Sequence, residues 1–79
     1  MARKTLVPVS MAALMARINR KLAHDGEQLK ATRGERARQD FGDYYIIDRS
    51  GNFVVAKHCD PEELAREIGV LQPYEALRE

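Results

Sequence analysis

The stretch YYIIDRSGNFVVAKH, residues 44–58, constrains this chain more than any other. Two apolar runs flank a turn, the pattern of a β-hairpin. Asp48 and Gly51 bracket DRSG and are favoured first and fourth residues of a type I turn, with Gly51 expected to take the positive φ of a G1 bulge. That register pairs Ile47 with Phe53 and Tyr45 with Val55 on one face, and leaves Tyr44, Ile46, Val54 and Ala56 on the other. Neither face is polar. Something must therefore cover two apolar faces: the rest of the chain, a second copy or a partner.

The rest of the chain is short. Its 79 residues make one small α+β domain, spanning 1–79, near the size at which a single core barely suffices. Apolar residues at 44% and charged residues at 32% suit a globular protein and not a disordered one. No apolar run is long enough to span a bilayer, and the single cysteine, Cys59, excludes an internal disulfide and fits a reducing compartment. The N-terminal apolar patch is interrupted by Pro8, Ser10 and Arg17 and lacks a convincing cleavage site, so it reads as the start of a mature, cytoplasmic protein.

Ahead of the hairpin, Met11, Leu14, Met15, Ile18 and Leu22 recur at helical spacing and predict an amphipathic N-terminal helix. Ser10 is placed to cap it, Val9 and Leu14 to staple it, and Gly26 to end it. After the hairpin, DPEE opens a short helix with Asp60 as cap and Pro61 at the first position, and Gly69 closes it. Between these, Leu29, Ala31 and Thr32 permit a third strand at the sheet edge, and residues 33–43 read as a mobile loop. QPYEALRE reads as one more helical turn begun at Pro73.

Charge is divided along the chain. Residues 1–38 carry nine basic groups against three acids, a net of +6, and residues 39–79 carry four against nine, a net of −5. Such a split points to an anionic partner for one half, or to two halves that face each other. Arg17, Arg20, Lys21, Arg33, Arg36 and Arg38 are the residues that would meet a nucleic-acid backbone. For Arg20 and Lys21 the plain alternative is support of the helix dipole.

No catalytic site is legible. His58 and Cys59 are neighbours, and in a strand neighbouring side chains point to opposite faces. The two histidines and one cysteine lack metal-ligand spacing, and GERARQDFG lacks the glycines and lysine of a phosphate loop. EELAREIGV resembles the first half of a helix-turn-helix, yet Glu75 falls where an apolar anchor belongs and the segment is acidic where phosphates would lie. The helix–strand–strand–strand–helix order resembles that of double-stranded-RNA-binding domains, whose second helix begins with basic residues where this chain has DPEE.

The string GDYYIID…VVAKHCDPEELAREIGVLQPYEAL, with ARINRKLAHDGEQLKATR before it, resembles small stand-alone bacterial proteins of unknown function. The resemblance covers most of the chain, transfers no catalytic residue and implies a bacterial cytosolic origin. The expectation is a non-catalytic interaction module, self-associating or docking a protein partner through Tyr44, Ile46 and Val54. A nucleic-acid accessory protein is the alternative, and neither reading calls for a cofactor, a metal or a membrane.

Overall fold

The structure, a computed structural model, describes residues 6–78; Arg3, Lys4 and Glu79, which enter the charge count, lie outside them. In chain order the elements are β1 (Val7–Ser10), α1 (Met11–Leu22), β2 (Glu27–Ala31), α2 (Glu35–Phe41), β3 (Tyr44–Asp48), β4 (Phe53–Ala56), α3 (Pro61–Glu67) and β5 (Glu75–Arg78). The class is α+β, with the N-terminal helix, an antiparallel three-stranded sheet in the order β2-β3-β4 and the short C-terminal helix. A second sheet, the parallel pair β1-β5, joins the two ends of the chain.

Local signals place the helices. The Ser10 hydroxyl accepts from the Ala13 amide at 3.1 Å, a short 3-10 turn follows α1, and Gly26 ends it at φ 73°. Asp60 accepts from the Glu62 amide at 3.0 Å with Pro61 opening α3, and Gly69 takes φ 79° beyond its end. The apolar stripe of α1 then does most of the packing. Leu14, Ile18 and Leu22 are buried with Val9 from β1, Leu29 from β2, Ile46 from β3, Ala65 from α3 and Leu71 beyond it.

Three expectations are corrected. Residues 33–43 are not a loop: α2 occupies Glu35–Phe41, held at its end by the Gly42 amide on the Arg38 carbonyl and by the His58 amide on the Phe41 carbonyl. The C-terminal stretch is a strand and not a helical turn, because β5 finds a parallel partner in β1 with Val7 opposite Glu75 and Val9 opposite Leu77. In the hairpin, Asp48 pairs with Phe53, Ile47 with Val54 and Ile46 with Ala56, so Val55 is an extra residue in a bulge.

The turn explains that register. Asp48 Oδ1 accepts from the amides of Ser50 and Gly51 at 2.9 and 3.0 Å, and these bonds hold its carboxyl below the usual carboxylate range. The Asn52 amide donates to the Asp48 carbonyl at 2.7 Å. Asn52, and not Gly51, is the residue in the left-handed region, at φ 56°. Gly51 instead leaves space for the exposed Phe53 ring, which a Cβ would have to push aside. Asn52→Val is therefore expected to lower stability by about 1–2 kcal/mol, the cost of a left-handed Cβ, while Gly51→Ala leaves the thermal melt nearly unchanged. The opposite ranking would return the positive φ to Gly51.

Candidate functional site

The hairpin residues expected to form an interaction surface do not form one. Ile46 is in the buried core and Tyr44 packs against it, both on the sheet face turned towards α1. Val54, opposite Ile47, belongs to the other face. The longer turn moves β4 by one residue against β3, so Val54 leaves the face assigned to it, and the bulge at Val55 returns Ala56 to its expected face, now opposite Ile46 instead of Tyr44. The outer face thus carries Tyr45, Ile47 and Val54, with Gln28 and Lys30 beside them on β2.

At one end this outer face is partly covered. The Phe41 ring at the end of α2 lies 5.2 Å from that of Tyr45, centroid to centroid, and the Lys57 ammonium stands 5.8 Å from the Phe41 ring. On β4, Phe53 (57% exposed), opposite Asp48 and so on the Ile46 side of the sheet, and Val55 (46%) in the bulge stand open.

The basic residues divide into two groups. Arg17, Arg20, Lys21 and His24 line an open hollow of about 410 Å³ together with Val70. Arg33 borders a different hollow with Phe41 and Tyr45, and Arg38 borders a third with Glu35 and Gln39. Arg36 is exposed on α2, and Arg38 pairs with Asp43 at 3.3 Å.

Arg17 is also committed inside the fold. Its guanidinium donates to Glu75 Oε1 at 2.8 Å and to the Val70 carbonyl at 3.1 Å. Glu75 is buried, takes the Gln72 amide as well at 3.0 Å, and is held below the usual carboxylate range first by Arg17 and then by that amide. Glu75 pins α1 to the start of β5. In a helix-turn-helix pattern Glu75 is a misplaced polar residue; in β5 its alternation with Leu77 is the sign of an inward position.

Cys59 packs against the core, and burial raises its thiol pKa, which keeps it protonated. Among the described residues no group of three His, Cys, Asp or Glu side chains could hold a metal, and no helix is long and apolar enough to cross a membrane. Comparison with protein-family models, curated proteins and solved structures finds no match.

Because the folded state depresses the Glu75 pKa, its stabilising contribution is full above the ordinary carboxylate pKa of about 4.3 and is lost as pH falls through the folded value. Arg17→Gln is expected to lower the melting temperature at neutral pH and to flatten this acid limb, whereas Arg20→Gln changes neither. Equal melts for the two variants at every pH would remove Arg17–Glu75 as a structural tie.

Proposed function

We propose that this chain is a non-catalytic interaction module that offers the β3-β4 side of its hairpin to a protein. The observation that carries this reading is the exposure of Phe53 and Val55 on a strand bordering the apolar outer face of Tyr45, Ile47 and Val54. A single cysteine left as a free thiol accords with a reducing compartment such as the cytoplasm.

A second reading rests on a separate observation. Arg20 and Lys21 have no ion-pair partner among the described residues and open on one hollow with His24, a place where a nucleic-acid backbone would displace counterions. Arg17, Arg33, Arg36 and Arg38 add less to it, because Arg17 and Arg38 are paired, Arg33 and Arg38 border other hollows, and Arg36 is exposed on α2 apart from this one.

A photoreactive residue placed at Val55, with Glu67 on α3 as the control position, distinguishes the two. The interaction reading predicts protein adducts from position 55 and none from 67; no adducts, or equal labelling from both, contradicts it. Labelled duplex bound with an affinity falling by roughly 0.9 log unit per log unit of salt for each phosphate, and released by Arg20→Gln with Lys21→Gln, would put the second reading in its place.

A further inference from the structure

Every sheet edge presents backbone groups that need partners, and among the described residues side chains cover two of the four outer edges and a proline blunts a third. On β1, the Val7 amide donates to the Tyr74 carbonyl at 2.8 Å, so Val7 faces β5 and Pro8 faces outwards, where it has no N–H to offer. On β5, Glu62 Oε2 accepts from the outward Leu77 amide at 3.3 Å, and Arg66 donates to the outward Glu75 carbonyl at 2.8 Å. Those two α3 side chains also pair with each other at 3.5 Å.

On β2, the Asn19 side chain acts as a short neighbouring strand. Its Oδ1 accepts from the Leu29 amide at 2.7 Å and its Nδ2 donates to the Leu29 carbonyl at 3.3 Å. This also fixes the ladder. With Leu29 turned outwards, Gln28 and Ile47 exchange the hydrogen bonds between β2 and β3. Ile47 is then spent on β2, and its β4 partner Val54 must turn its own N–H and C=O away from the sheet.

Among the described residues, no side chain and no other strand reaches that outer edge of β4. Its sequence, FVVA, holds no proline and no charge, two of the devices that protect an edge, and its short length and the bulge at Val55 are the ones it has.

We propose that β4 pairs antiparallel with β4 of a second copy about a two-fold axis at Val54, joining two three-stranded sheets into one of six. The proposal rests on the interaction reading above and names its partner. The strand is self-complementary about this point. Val54 exchanges both hydrogen bonds with Val54 of the second copy, and Phe53 comes opposite Val55, the two large apolar residues left exposed on β4. Beyond them Asn52 faces Ala56 and Lys57 faces Gly51, so no like charges are opposed. The bulge beside Val55 confines the pairing to a few residues. The contact is smaller than the roughly 800 Å² per partner of a standard interface, and the dimer is weak and concentration-dependent.

Sedimentation equilibrium of the full chain from low micromolar to millimolar concentration, with amide shifts followed over the same range, tests this. The expected result is a monomer–dimer equilibrium with shift changes centred on Phe53–Ala56. Val55→Lys, at an exposed position, and Val54→Pro, which removes the outward N–H, should each weaken it at least tenfold while the remaining amide shifts stay folded. A dimer whose shifts move at Leu6, Val7 and Tyr74, or one that both variants leave unchanged, overturns the β4 pairing. A strict monomer that still gives adducts from position 55 with another protein overturns the second copy alone. A monomer without adducts overturns the interaction reading as well.

Discussion

The fold depends on one apolar stripe. Leu14 and Ile18 of α1 are fully buried, and α1 packs against both sheets and against α3. A single helix covers one face of a three-stranded sheet and has no second face to give the other. The Cα envelope is flat, 17 Å through its thinnest direction and 50 Å along its longest, and α2 covers only the Tyr45 end of the outer hairpin face. The two apolar faces of the hairpin meet different fates: Tyr44, Ile46 and Ala56 turn towards α1, while Tyr45, Ile47 and Val54 turn away.

A small chain also has many strand ends and edges for its length, and the backbone groups there have to be satisfied by side chains. Asn19, Glu62 and Arg66 each do this on helices whose other residues build the core. The same logic applies at Glu75, whose burial beside Arg17 is tolerated because its oxygen accepts from both a guanidinium and the Gln72 amide. These ties convert polar residues into connections between α1, α3 and the two sheets. Their placement makes the bare edge of β4 a specific feature and not a general property of the molecule.

What could be read from sequence was local. The start of α1 at Ser10, the left-handed Gly26, the opening of α3 at Asp60-Pro61 and the edge strand at Leu29 all follow from residues within a few positions of one another. The β1-β5 pair was not legible, because its partners lie at opposite ends of the chain and each strand is only four residues long. Nor was α2, which buries no residue fully and carries no apolar stripe; Phe41 anchors it from its last position. The hairpin was read correctly and its register wrongly, since the choice between Gly51 and Asn52 for the left-handed position rests on how the Asp48 carboxylate and carbonyl divide the turn amides. For the site, that single slip moved Val54 to the wrong face.

Among the described residues the outer edges of β2 and β5 are tied by side chains, that of β1 is blunted by Pro8 and that of β4 is open, and hydrogen exchange at individual amides tests this most directly. In dilute protein the Leu29 amide, held by Asn19, should exchange far more slowly than the outward Val54 amide, and only the latter should slow as protein concentration rises. A Val54 amide as protected as Leu29 at every dilution would contradict the account, and so would a Leu29 amide that exchanges as fast as Val54.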